Sequence, residues 1–325
     1  MTFDELVERT RSFQESRVLL TAVELDVFTA VGTGASAEVV ARRLRTDCRA
    51  TEMLLNALVA VGALVKSKGS FCSTPATARH LTKGAPRDQR AALMHTVHMW
   101  DRWSTLTQAV RVGTAVAAGE IAGRGNAWIE AFIAAMHRNA VARAPGLVKA
   151  VGVRGARRML DVGGGSGAYS IAFAKANRRL AAEVFDLAEV LPIARRHIRE
   201  GGLQDRVKTR KGDLRSNAFG KNYDLILISA ICHMLSPEEN LDLFRRSFRA
   251  LSPGGRVVVQ DFILEPDKTG PPMAALFSLN MLVGTRSGAS YSEPEYAAWL
   301  REAGFESVRR VRFRPPAELM IGVRA

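Results

Sequence analysis

The segment LDVGGGSGAYSIAFA, running from Leu160 to Ala174, sets an acid, Asp161, two residues ahead of Gly163, the first of the glycines Gly163, Gly164, Gly165 and Gly167. An apolar strand-like run precedes the glycines and a helix-like run follows them. They therefore form a turn where the backbone can bend sharply and touch a ligand. Gly163, Gly165 and Ala168 also satisfy the GxGxxA spacing of dinucleotide sites, and such a turn can equally serve only to pack helix on strand. Asp161 discriminates between ligands. A pyrophosphate at the turn would be repelled by a carboxylate so close by, whereas a cationic ligand without phosphate would be attracted to it. S-adenosylmethionine, with an ammonium and a sulfonium, has the matching charge.

Two further acids end strand-like segments. Asp186, in VFDL beside Leu187, lies 19 residues after Gly167, the separation at which an acid accepts the hydroxyls of a ribose. Asp213, in GDL between Gly212 and Leu214, ends the next strand, in position for an adenine amino group with Leu214 against the ring. Ser229, at the end of YDLILIS, completes the expected cofactor contacts. One such acid alone can be a turn former, but three at successive strand ends point to a common ligand. His233 follows the fourth strand at the sheet edge where sites of open α/β sheets form. An imidazole ordinarily titrates near neutral pH, as a general base requires, although a histidine here can also merely pack or cap the helix from Pro237. Asn280 can hydrogen-bond an acceptor oxygen. Phe277, Met281, Met99, Trp100 and Trp103 can line a flat apolar pocket, or be ordinary core at helical spacing.

The elements that must hold these residues follow from periodicity. RRMLDVG, AAEVFDL, RVKTRKGD, YDLILISAI, GRVVVQDFIL, SVRRVRFRP and ELMIGVRA read as strands, alternating with helices over 167–176, 191–200, 237–251 and 293–303. That alternation is α/β: a doubly wound, Rossmann-like, mostly parallel sheet whose last strand is antiparallel. Residues 1–145 read as helix after helix, with helical spacing in FQESRVLLTAVELDVFTAV and TEMLLNALVAVGAL. Ser36 caps a short helix, another spans 49–64, and VKSKGSFCSTP folds about Gly69 as two short strands, the order of a winged helix. The expected division is an all-α, winged-helix-containing dimerisation domain over 1–145 and a catalytic domain over 146–325.

Composition narrows the class. A chain of 325 residues with 47% hydrophobic and 24% charged side chains can bury two cores and is globular. MTFDELVERTRSF lacks a basic signal-like start, and no uninterrupted apolar stretch of about 18 residues occurs, which argues for a cytoplasmic protein without a membrane span. The cysteines Cys48, Cys72 and Cys232 show no metal-binding spacing, so no metal is expected. The net charge of +14 divides as +5 over residues 1–145 and +9 beyond, with no basic tail or stripe, as on a solvated surface rather than a nucleic-acid footprint.

LDVGGGSG, VFDL, GDL, CHMLSPEEN and NMLVGT, in this order along nearly the whole chain, resemble the O-methyltransferases related to plant caffeate and acetylserotonin enzymes and their bacterial counterparts. The resemblance implies a class I methyltransferase domain, an N-terminal dimerisation domain and a homodimer. It also implies S-adenosyl-L-methionine as methyl donor, S-adenosyl-L-homocysteine as product, and a hydroxyl on a small aromatic or polyketide-like acceptor. His233 matches the family's catalytic histidine, Asp261 the acid near it, and the stretch holding Phe277, Asn280 and Met281 the acceptor-facing segment. His233-Met234-Leu235 replaces the common His-Asp-Trp, and Ser290 stands where plant members carry a second acid. The same scaffold can methylate carbon or nitrogen instead. A DNA-binding regulator is the remaining alternative, but TEMLLNALVAVGAL offers Glu52 and Asn56 and no Arg or Lys beyond Arg49.

Overall fold

The computed structural model describes residues 1–116, 125–312 and 317–325. The chain forms two compact units, Met1–Trp100 and Asp101–Ala325. This division falls earlier than residue 145 because the helix Asn126–Val151 already packs in the second unit through Ile129 and Ile133, which meet Val190, and through Ala144, which joins the core of that unit.

The first unit holds α1 (Phe3–Arg11), α2 (Phe13–Glu24), α3 (Val27–Val31), α4 (Ala37–Leu44), α5 (Cys48–Ala60), the hairpin β1 (Leu64–Ser67) and β2 (Ser70–Ser73), α6 (Pro75–Leu81), and most of α7 (Arg90–Trp103). Its helix starts follow from local chemistry. Ser36, Asp47 and Thr74 each accept a backbone N–H of the turn they precede, and Thr2 and Glu5 form a reciprocal capping box. The hairpin turns through Lys68 and Gly69, both at positive φ, as a two-residue hairpin loop demands. Val27, Phe28, Val31, Val40, Leu55, Leu58, Leu64 and Phe71 form the core.

The second unit adds α8 (Leu106–Val112) and α9 (Asn126–Val151) before a seven-stranded sheet. The strands are β3 (Arg158–Val162), β4 (Ala181–Asp186), β5 (Val207–Lys211), β6 (Tyr223–Ser229), β7 (Leu251–Asp261), β8 (Glu306–Val311) and β9 (Glu318–Val323). The helices are α10 (Ala168–Ala176), α11 (Leu191–Glu200), α12 (Pro237–Ala250), α13 (Pro272–Gly284) and α14 (Glu293–Glu302). The sheet order is β5-β4-β3-β6-β7-β9-β8, with β9 antiparallel to both β7 and β8 and every other pairing parallel. Phe313, Arg314 and Pro315, the end of the expected strand SVRRVRFRP, lie outside the described residues.

Both sheet faces are covered, which explains why YDLILIS reads as a continuous apolar run. Successive residues point to opposite layers: Leu160, Val162, Ile226 and Ile228 pack with Leu243, Phe244, Tyr296 and Leu300 of α12 and α14. Met159, Leu225 and Leu227 pack instead with Leu147, Phe173, Ala194 and Ile198 of α9, α10 and α11. The chain leaves β3 toward β4 on one side and has β6 on the other, so β3 and β6 flank the switch point where open sheets bind ligands. Among the described residues no helix is long and apolar enough to cross a membrane.

Candidate active site

The turn after β3 is built from glycines because Gly163 and Gly164 have no room for a side chain and Gly163, Gly165 and Gly167 hold positive φ. Gly163 has φ 64°, donates its N–H to Phe185 O at 2.8 Å, and would place a Cβ 2.3 Å from Ile231 Cδ1. Gly165 (φ 56°) donates its N–H to Asp186 Oδ2 at 2.7 Å, and Gly167 (φ 74°) opens α10. Gly163→Ala is expected to cost about 1–2 kcal/mol of stability through its left-handed backbone alone. A fall of a few degrees in the thermal midpoint would register it, and an unchanged midpoint would refute the strain argument.

Two carboxylates sit beneath this turn. Asp161 is buried, its Oδ2 accepting from Ser170 Oγ at 2.7 Å, while Oδ1 accepts no hydrogen bond among the described residues. Burial, reinforced by the charge of Asp186, pushes its pKa up to about 6. Asp186 ends β4 with Oδ1 accepting from Leu187 N at 2.7 Å and Oδ2 from Gly165 N. Its enclosed carboxyl is also pushed up to about 6 by burial, against the pull of those two N–H groups.

The other expected cofactor contacts gather around them. Gly212 N donates to Asp186 O at 3.0 Å, and a Cβ there would sit 2.2 Å from Phe185 Cε2. Asp213 holds its own turn through Oδ1, which accepts from Arg215 N at 2.8 Å. Leu214 lies with Ile231 beside Gly163, and Leu187, like Trp128 and Phe132 of α9, packs against the cluster of Ile129, Ile133 and Val190. Ser229 donates to Gln260 Oε1 at 3.1 Å. One feature of this region had no sequence signal. Ser166 of the glycine turn is hydrogen-bonded at 2.8 Å to His137 of α9, whose ring stacks on His197 of α11 at 4.0 Å. Burial first, then the neighbouring His197 and Arg196, depress His137 to about 4.

Beyond β6 the chain enters a 3-10 turn, Cys232–Met234, that carries His233. His233 Nδ1 lies 2.6 Å from Asp261 Oδ1 at the end of β7, and the backbone N–H of His233 donates to Asp261 Oδ2 at 3.2 Å. Phe262 N at 2.8 Å and the Tyr296 hydroxyl at 3.3 Å also donate to Asp261, and burial with the Asp261 charge raises Tyr296 well above the ordinary phenol range. Surrounded by donors, the Asp261 carboxylate accepts a hydrogen bond from Nδ1–H, which leaves Nε2 with the free lone pair. Ser290 is turned elsewhere, its buried hydroxyl donating to Ala274 O at 2.9 Å, so Asp261 is the acid paired with the histidine.

An aromatic patch borders the imidazole. Phe277 of α13 meets His233 edge-on at 4.7 Å and stacks on Phe262 at 4.0 Å. One turn further along α13, Asn280 Oδ1 accepts from Trp103 Nε1 at 3.0 Å, while Met281 is buried. Phe262, Trp128, Phe132, Gln260 and Tyr296 were not singled out in the sequence; only Phe262, adjacent to Asp261, had a local signal. Met99 and Trp100 belong to the first unit, where Arg17 lies over the Trp100 ring.

The turn, the Asp161 oxygen that accepts no hydrogen bond among the described residues and the Asp186 carboxylate fit an ammonium and a ribose. Residues 103–306 match the O-methyltransferase domain and residues 7–83 the O-methyltransferase dimerisation domain. The chain is 32% identical to 3-hydroxy-5-methyl-1-naphthoate 3-O-methyltransferase of Streptomyces sahachiroi, over 98% of this chain and 95% of that one. It is 30% identical to the tetracenomycin polyketide synthesis 8-O-methyl transferase TcmO of Streptomyces glaucescens, over 98% and 96%. The solved structure of PigF with SAH aligns over 100% of both chains with a TM-score of 0.90 at 28% identity, and a PigF from a Serratia strain is an S-adenosyl-L-methionine-dependent methyl transferase. The chain therefore belongs to the O-methyltransferase family and is an S-adenosylmethionine-dependent methyltransferase with a dimerisation domain.

Proposed function

We propose that this enzyme methylates a hydroxyl of an aromatic or polyketide-type acceptor, with His233 as the general base and Asp261 as its orienting partner. The observation that carries the reading is the buried His233–Asp261 hydrogen bond of 2.6 Å set against the Phe262–Phe277 stack. The bound cofactor supplies an electrophilic methyl group. Asp161 neutralises its ammonium, Asp186 accepts its ribose hydroxyls, and Asp213 with Leu214 meets its adenine. The aromatic patch holds a flat acceptor by burial and stacking, so that its hydroxyl lies at His233 Nε2. Nε2 takes the hydroxyl proton as the oxygen is methylated, and the adjacent Asp261 charge stabilises the imidazolium that results. The relatives whose names specify a naphthoate and a polyketide acceptor support this acceptor class.

We further infer a homodimer formed through the first unit. Phe3 and Leu6 on α1 and Phe13 at the start of α2 leave apolar side chains exposed, and residues 7–83 match the dimerisation family. Such a face is suited to a second copy of itself.

The reading is tested by calorimetric titration with S-adenosylhomocysteine, with NAD as control, followed by turnover of S-adenosylmethionine with hydroxyarenes. Micromolar binding, no NAD binding and a methyl ether product are the expected results. A folded protein that binds no S-adenosylhomocysteine, or that methylates ring carbon, overturns it.

A further inference from the structure

Resting on that reading of the site, we propose that Trp103 positions Asn280 as a one-way hydrogen-bond donor, so that the enzyme selects hydroxyarenes bearing a second oxygen of carbonyl or carboxylate type. Trp103 is a positioning residue, acting through Asn280. An indole N–H can only donate, and it points at Asn280 Oδ1 from 3.0 Å. That contact fixes which end of the amide is which. A primary amide free to turn over offers either a donor or an acceptor to a ligand. This one has its oxygen engaged and presents NH2.

Its position relative to the base follows from helix geometry. Phe277 and Asn280 are three residues apart on α13 and share a face. The Phe277 ring meets His233 at 4.7 Å, and the helix rise carries Asn280 about 4.5 Å further along the axis. An acceptor lying on the Phe262–Phe277 stack with its hydroxyl at His233 therefore extends its ring system toward Asn280. A hydrogen-bond donor there leaves an oxygen-free ring edge facing an unsatisfied NH2 group, and a hydroxyl oxygen meets it only as a weaker acceptor than a carbonyl or carboxylate. A carbonyl or carboxylate oxygen satisfies it. Asn280 is only partly buried, as a group lining an accessible cleft would be.

The test compares kcat/KM for matched acceptors: a hydroxynaphthoate against the naphthol lacking its carboxylate, and a hydroxyanthraquinone against the corresponding hydroxyanthracene. The wild type is expected to prefer the oxygenated partner of a pair by about tenfold or more. Trp103→Phe keeps a ring and removes the donor, and is expected to shrink that preference several-fold, chiefly through KM. Asn280→Leu, which keeps the branched shape and removes the amide, is expected to abolish the preference while leaving S-adenosylhomocysteine binding within about twofold of wild type. Equal use of both partners by the wild type, or a preference that survives both substitutions, overturns the proposal and leaves the O-methyltransferase reading intact. A protein that binds S-adenosylhomocysteine and methylates no member of either pair overturns that reading and this proposal with it.

Discussion

Replacing His233 with alanine is expected to lower kcat by about 10²–10⁴-fold, the range that general-base catalysis contributes. The effect belongs to the chemical step. A neutral phenolic oxygen is a poor nucleophile, and the imidazole removes its proton as the methyl group moves. Asp261 amplifies the loss, because its hydrogen bond to Nδ1 at 2.6 Å is what holds the ring with Nε2 available. His233 is buried and packed on Phe277, so alanine also leaves a cavity. His233→Gln, which fills more of that space, separates the two effects: it should recover stability without recovering rate. A second readout excludes a merely structural role. With no base in the site, turnover has to draw on acceptor already ionised in solution, so the variant's rate should climb tenfold per pH unit toward about pH 10, where phenols ionise. S-adenosylhomocysteine affinity should stay within about twofold of wild type, since nothing in this step concerns the cofactor. If His233→Ala retains most of its kcat at neutral pH, positioning alone has to explain catalysis and proton removal by this residue is wrong.

The parts of the molecule that were legible in the sequence share a physical property: their pattern is local. LDVGGGSG announces β3, the turn and α10 because the backbone there needs glycine within a few residues of a buried strand. YDLILIS and GRVVVQDF announce β6 and β7 because a parallel strand covered on both faces is apolar at nearly every position. Ser236 and Glu239 cap α12 within one turn, and SPEEN shows it. What was not legible depends on contacts between distant residues. Trp103 and Asn280 are 177 positions apart, and nothing in either neighbourhood announces the bond between them. The His137–Ser166 contact is likewise invisible, since His137 reads as one more polar residue on a long helix. The division at 145 cuts through a run that is helical on both sides of it. Periodicity does not report which core a helix enters, and α9 enters the second one.

Affinity for S-adenosylhomocysteine is expected to fall steeply as pH drops from 7 to 5, by about tenfold if one of Asp161 and Asp186 must be ionised and by about a hundredfold if both must. Burial has pushed both carboxyls up to about 6 in the free protein. A protonated Asp186 offers the ribose one acceptor fewer, and a protonated Asp161 offers the ammonium no charge. The free protein should respond to the same pH change in the opposite sense. A carboxyl whose pKa is raised by folding binds its proton more tightly when folded, so its contribution to stability is complete below the ordinary carboxyl pKa and is lost as pH rises through about 6. His137 works against this. Depressed to about 4, it contributes stability above the ordinary histidine pKa and loses it as pH falls toward 4. Two raised carboxyls outnumber one depressed histidine, so these groups make the unliganded protein slightly less stable from pH 4 to 6, while the ligand grips harder over the same interval. The thermal shift produced by saturating S-adenosylhomocysteine should therefore widen with pH. Asp186→Asn removes one titrating group, and the slope of log Kd against pH below 6 should drop from near two toward one. A slope that is flat in the wild type would mean that neither carboxylate needs its charge to hold the cofactor, and the ammonium and ribose would have to be recognised by other groups around the turn.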